Sequence, residues 1–447
     1  MKRFNRFVSL TAATVLAAGS LVACSDSSGG GDDAGSVYFL NFKPEQEAAY
    51  QKIAEEYTAE TGTEVKVVTA ASGSYEQTLK AEIGKSEAPT LFQVNGPAGL
   101  ITWKDYMADL TGTEIANQLN EDVPALTGDN GEILGVPFAV EGFGLIYNEE
   151  IFDKYFATDG AKVASTEEID SFDKLKEVAE DMQSKKDELG IEGTFAATSL
   201  ATGEDWRWQT HLANAPIWNE LEDQGVEDST NVEFKYNEEY KNLFDLYLNN
   251  STVEPSLTPS KNVTDSMAEF AQGKVAMVQN GNWAWSQISE VDGNVVKEDK
   301  IKFMPMYMGL PNEGDYGLNV GTENYLAINA NASEEDQQAT KDFVDWLFTS
   351  DAGKTHVVED LGFIAPFSSY TEEDTPADPL AQQVQEAISN DEVTTIPWAF
   401  QYFPSQQFKD DFGQALAQYA SGNMEWDQVV SQFSDSWTAE KETNWGS

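Results

Sequence analysis

The sequence predicts an α/β chain of two lobes, each a mostly parallel sheet flanked by helices, with extended crossovers as the hinge. Three observations predict it. Apolar runs of strand length alternate with amphipathic helical stretches between residues 37 and 94, a glycine-punctuated apolar stretch follows at 133–147, and a second alternating set precedes a mainly helical C-terminal third. Strands separated by whole helices imply right-handed crossovers and parallel pairing, since antiparallel neighbours need only a tight turn.

Residues 37–42 (VYFLNF) read as a buried strand. Pro44 then opens a helix in which Ala49, Ile53 and Tyr57 recur on one face, and Gly62 ends it. A strand at 64–69 carries Val65 and Val67 on one face; a helix at 74–85 leads to a third strand at 90–94. Ligands of such sheets collect at the carboxyl ends of the strands. Those ends are Asn41-Phe42-Lys43 and Asn95-Gly96-Pro97. Helices follow at 171–186 and 237–248, strands at 275–279 and 325–329, and helices at 334–349, 380–388 and 404–419, with no internal repeat.

The first residues are an address rather than fold. Lys2, Arg3 and Arg6 form a basic head before the mostly apolar stretch 7–21. That stretch is shorter than the ~20 residues a bilayer core requires. It stops at Leu21-Val22-Ala23-Cys24, which resembles the lipobox of bacterial lipoproteins, where a signal is cut before a cysteine that carries lipid. Residues 1–23 are therefore expected to be a lipoprotein signal peptide, and 24–36, rich in Ser, Gly and Asp, a flexible tether from lipidated Cys24. The expected location is the outer face of the cytoplasmic membrane.

Cys24 is the only cysteine, so the folded part has no disulfide framework, no cysteine-based zinc site and no cysteine nucleophile. About 410 residues remain, enough for two or more domains. The net charge is −50, and losing Lys2, Arg3 and Arg6 makes the mature chain more negative still. Nucleic acid is disfavoured as a partner, because its binding needs Lys and Arg to replace phosphate counterions and no basic cluster survives. No metal and no cofactor are expected.

Three blocks carry a family resemblance. Residues 139–148, from Ala139 through Glu141, Gly142 and Phe143 to Asn148, resemble the inter-lobe strand of the maltose-binding group of extracellular solute-binding proteins. Gln279-Asn280-Gly281-Asn282-Trp283 resembles that group's strand ending in an Asn-Gly turn and a tryptophan, and Glu204-Asp205-Trp206-Arg207-Trp208 the segment that gives the sugar an acidic and an aromatic group. The resemblance implies a two-lobed, class II periplasmic-binding-protein-like fold, monomeric, that closes on its ligand and docks to the permease subunits of an ABC importer, with ATPases on separate chains. Residues 37–146 with part of 322–370 would form the N-terminal lobe, 147–321 the C-terminal lobe, and 371–447 helices packing across both. Two departures weaken maltose as the ligand: Gln93, Gly96 and Pro97 stand where that group has a tryptophan and an acidic-basic pair, and Lys409 stands near its late aromatic.

A sugar ring offers an apolar C–H face and a belt of hydroxyls, so its site needs flat aromatics and short polar groups. An isolated tryptophan is more often core than platform, but the family resemblance of the residues around Trp283 implies that it is the platform. Trp206 and Trp208 cannot both face the same way on a regular element. Glu141 and Glu204 are the expected hydroxyl acceptors, and Asn41, Phe42, Lys43, Asn95, Phe143, Asn282, Glu323 and Asn324 complete the expected ligand-binding set.

An enzyme is not expected. An anchored glycoside hydrolase would need two carboxylates about 5 to 10 Å apart across the scissile bond, and nothing in the sequence pairs two particular ones. Gly-x-Ser-x-Gly and His-Glu-x-x-His are absent, and Gly84-Lys85-Ser86 and Gly353-Lys354-Thr355 lack the upstream glycine of a phosphate loop. A peptide or polyamine is the competing solute. Arg207 is the sole arginine after the signal, so a carboxylate clamp has at most one guanidinium.

Overall fold

A computed structural model describes residues 35–445 except Ser72 and Asp391; the signal segment, Cys24 and most of the expected tether lie outside the described residues. Twelve strands are present among them: β1 (Val37–Asn41), β2 (Val65–Thr69), β3 (Leu91–Asn95), β4 (Leu126–Thr127), β5 (Ile133–Pro137), β6 (Glu141–Asn148), β7 (Gly193–Phe195), β8 (Val275–Gly281), β9 (Ile301–Met304), β10 (Tyr316–Gly321), β11 (Asn324–Ile328) and β12 (Thr394–Ile396). They build two six-stranded sheets, ordered β2-β1-β3-β11-β5-β4 and β12-β10-β6-β8-β7, with β9 paired to β6.

The first lobe begins as its sequence suggests. β1 alternates, burying Val37 and Phe39 on one face of the sheet and Leu40 on the other. The helix Glu47–Thr61 lays Tyr50, Ile53 and Tyr57 on the first face and ends at Gly62, whose φ of 80° is the left-handed conformation that glycine adopts without steric cost. β1 runs parallel to β2 and to β3.

The sheets are mixed rather than mostly parallel, and the crossovers explain why. The chain leaves the first sheet through β5 and enters the second through β6, then returns through β10 into β11. These two passages run side by side in opposite directions, so β11 pairs antiparallel with β5 and β10 antiparallel with β6. β11 is likewise antiparallel to β3 over five registered pairs, from Asn324↔Asn95 to Ile328↔Leu91. A third connection touches the same hinge, where the Val140 N–H donates to the Ile364 carbonyl at 2.8 Å.

β6 is buried along its whole length and pairs only within the second sheet, with β10, β8 and β9. A lobe boundary between residues 146 and 147 would therefore cut a single strand; the passage between sheets lies between Pro137 and Glu141. The C-terminal helices Gln406–Ala420 and Trp426–Asn444 bury Phe408, Phe412, Phe433 and Trp437 in the core of the second sheet, together with Phe143, Leu145 and Trp208. Full burial of such side chains contributes roughly 1.5–3 kcal/mol each, which fastens these helices to the second lobe. Gln401 and Lys409 reach the first lobe and the crossover. No helix among the described residues is long and apolar enough to cross a membrane.

Candidate functional site

The carboxyl ends of β1 and β3 present a row of polar side chains. Asn41 is fully buried and engaged with its own turn: its amide nitrogen donates to the Lys43 carbonyl at 2.7 Å and to Thr69 Oγ1 at 3.2 Å, and its Oδ1 accepts the Lys43 N–H at 3.0 Å. That turn aims Lys43 inward. The Phe42 N–H donates to Gln93 Oε1 at 2.5 Å, which fixes the Gln93 amide and leaves Nε2, a buried donor, without a partner. The Phe42 ring packs edge-on against Tyr75, with centroids 5.2 Å apart.

From the second sheet, Glu141 opens β6 facing this row. Lys43 Nζ lies 2.7 Å from Glu141 Oε1 and 4.0 Å from Glu45 Oε1, and Asn324 Nδ2 donates to Glu141 Oε2 at 3.2 Å. Lys43, Glu141 and Asn324 are all at least nine-tenths buried. Burial opposes the Lys43 charge, but Glu141, Glu45 and Glu323 together outweigh it and hold the ammonium pKa above the ordinary lysine value. A carboxylate only accepts, so the Asn324 amide nitrogen must face Glu141. Its Oδ1 then points elsewhere and has no partner, as does Asn95 Oδ1 directly across the ladder.

The aromatic wall lies beside this polar row. Gly281 ends β8 beneath the Trp283 ring, where a Cβ would come within 2.2 Å of the indole. Trp283 is half-buried, with its ring 6.2 Å from Trp206 and 5.5 Å from His211, and Lys43 Nζ lies 5.8 Å from its centroid. Residues Arg207–Leu212 form a π-helical turn, which brings His211 under the wall and turns neighbouring tryptophans apart. Trp206 stays half-buried beside Trp283, whereas Trp208 is fully buried against Phe244 and Tyr247. Burial, reinforced by Arg207 and Lys409, drives the His211 pKa well below that of free histidine, so its ring is neutral.

A second ion pair flanks the crossover: Lys409 Nζ sits 3.2 Å from Glu323 Oε1, and the Glu323 carbonyl accepts the Gly96 N–H at 2.9 Å. The lobes also touch backbone to backbone. A Cβ on Gly73 would fall 2.6 Å from the Gly203 carbonyl oxygen, and one on Gly96 3.1 Å from Gln401 Cβ.

The sequence matches the family described as bacterial extracellular solute-binding protein over residues 52–383, most of the chain. The chain belongs to that family. Solved structures with the same fold include a chitin oligosaccharide binding protein (20% identity, 93% of this chain and 100% of that one, TM-score 0.71). Maltose-bound MalE3 of T. maritima (17% identity, 91% and 100%, TM-score 0.68) and RafE in complex with raffinose (16% identity, 91% and 99%, TM-score 0.66) share it too. At these identities they establish the two-lobed α/β fold, as expected from the sequence.

Within this solute-binding protein the anticipated residues divide into two sets. Lys43, Asn95, Glu141, Glu323 and Asn324 converge where the sheets meet, and Trp206 and Trp283 stand beside them. Others support that surface from behind. Phe143 is fully buried and stacks on His211 at 4.0 Å, and Asn282 accepts the Gly142 N–H at 2.9 Å, locking β8 to β6. Glu204 accepts the Val263 N–H at 3.2 Å and so caps the helix Val263–Ala271. Arg207, fully buried, donates to the Gln279 carbonyl and the Ser199 and Ser266 hydroxyls, so it offers no clamp to a ligand carboxylate. Gln93, His211 and Lys409 join the site without having been expected there; Gln93 and Lys409 stood out in the sequence only as departures from the maltose pattern.

Proposed function

We propose that this solute-binding protein captures a sugar or short oligosaccharide between its two lobes and delivers it to the permease of an ABC importer, anchored outside the cytoplasmic membrane through lipid on Cys24. The observation that carries the reading is the pairing of flat aromatics with oriented, unsatisfied amides. Trp206 and Trp283 offer apolar faces, and beside them the Gln93 donor and Asn324 acceptor lack partners. A buried polar atom without a partner costs about 1–3 kcal/mol, so a hydroxyl that both donates and accepts removes a standing penalty on each. Glu141, already holding Lys43 and Asn324, has lone pairs left for a hydroxyl. Binding proteins with the same fold have been solved with raffinose and maltose.

The lobes comprise the two sheets and their helices, hinged at residues 137–141, 321–324 and near Ile364. Ligand held by both would favour the closed form only by its differential affinity for that form. No sugar bond changes.

A polyamine remains the second reading because acids outnumber bases around the cleft. Calorimetric and thermal-shift titration of the purified mature protein against neutral oligosaccharides and spermidine separates the two. Stabilisation by a saccharide and not by spermidine is expected; the reverse would move the protein to the polyamine class. Membrane fractionation of Cys24→Ser tests the anchor, and undiminished membrane retention would remove it.

A further inference from the structure

Among the described residues, every cation at the cleft already has a partner. Lys43 is held by Glu141 with Glu45 nearby, Lys409 by Glu323, and Arg207 lies behind the wall on neutral oxygens. Both lysines are more than nine-tenths buried, so neither pair is a loose surface contact. Among the described residues, the neighbouring acids Glu76, Glu204 and Asp205 have no lysine or arginine within ion-pair distance; Glu76 accepts from Trp103 Nε1 at 3.2 Å. The chain as a whole carries −50.

An acidic sugar entering this cleft would surrender its hydration to meet ammonium groups whose charge is already neutralised, with a carboxylate beside each. A neutral hydroxyl incurs no such cost, because it can accept from Lys43 or Gln93 and donate to Glu141 or Asn324. Taking the saccharide reading as its basis, we infer that Glu141 and Glu323 are selectivity residues: by neutralising Lys43 and Lys409 across the hinge, they restrict the cleft to uncharged saccharides and reject uronates.

The charge arrangement makes the selectivity reversible by a substitution that keeps shape. Glu141→Gln retains an oxygen for Asn324 but removes the counter-charge of Lys43. A buried ammonium without a partner is costly, and an anionic ligand would then supply what Glu141 no longer does.

The experiment is calorimetry of the mature protein with neutral xylo- and galacto-oligosaccharides and with the matching oligosaccharides that carry one uronate. The unsubstituted protein should bind a neutral member at least about 100-fold more tightly than its uronate counterpart, the scale set by leaving one buried charge uncompensated. Glu141→Gln should narrow that ratio at least tenfold, with Glu323→Gln giving the same readout should Glu141→Gln fail to fold. Uronate binding as tight as neutral binding in the unsubstituted protein would overturn the inference while leaving the saccharide reading standing. Equal weakening toward both ligand sets in the variants would overturn it as well, reducing the two carboxylates to hydroxyl acceptors. Failure of every saccharide to bind would overturn the saccharide reading and this inference with it.

Discussion

Lys43 and Glu141 meet across the junction of the two sheets, ammonium to carboxylate at 2.7 Å, from positions 98 residues apart. The turn held by Asn41 delivers one and the first residue of β6 the other. The pair is thus both a cross-lobe tie and part of the candidate site.

Removing one partner should strand the other. Lys43→Met and Glu141→Leu should each lower unfolding stability by about 3–5 kcal/mol, while the double substitution recovers much of that loss. Urea unfolding of the four proteins measures the coupling, and purely additive losses would mean that the two groups act independently.

Trp283 is half-buried, so shortening it should spare the fold and strike the ligand. Trp283→Ala should weaken sugar binding by about 2–4 kcal/mol, the range of well-packed aromatic anchors, and Trp283→Phe by less. Unchanged affinity in a folded Trp283→Ala protein would assign the ring to the core.

The fold was legible where local pattern decides it. The strand at residue 37, the helix closed by Gly62 and the turn at Gly281 all follow from apolar spacing and glycine placement. What sequence could not supply is pairing. β11 inserts between β3 and β5 after the chain has built most of a second lobe, and this makes the sheets mixed. The site divides along the same line. Residues at strand ends were identifiable, but their partners were not. Nothing local says that Asn41 turns back on its own loop, that Phe143 lies under His211, or that Lys409 reaches Glu323, because each depends on elements brought together by the hinge and by one π-helical turn.

Burial lifts the Asp205 pKa to about 6, and that of Asp378 moves the same way. A carboxyl whose folded pKa exceeds its unfolded value of 3.8 binds protons on folding. Its contribution to stability is therefore full below pH ~4 and lost as pH rises through ~6, amounting to roughly 2–3 kcal/mol for Asp205. Asp205→Asn cannot lose it. Relative to the unsubstituted protein, this variant should gain stability between pH 4.5 and 7.5 by urea titration; parallel pH profiles would contradict the assignment.

Gly73 and Gly203 meet where the lobes touch, both with positive φ. Gly73→Ala places a Cβ 2.6 Å from the Gly203 carbonyl oxygen, which backbone cannot easily yield. Sugar affinity should fall at least about tenfold while unfolding stability drops only by the ~1 kcal/mol that a left-handed alanine costs. A loss confined to stability would show that this contact is not part of closure.

Small-angle scattering of the mature protein, free and saturated with a saccharide that binds, tests the two-lobed trap most directly. The radius of gyration should be larger in the free protein and fall on saturation to the value of the structure in which Gly73 meets Gly203, with the sugar recovered intact. The same radius in both states, or a cleaved sugar, would contradict capture by closure.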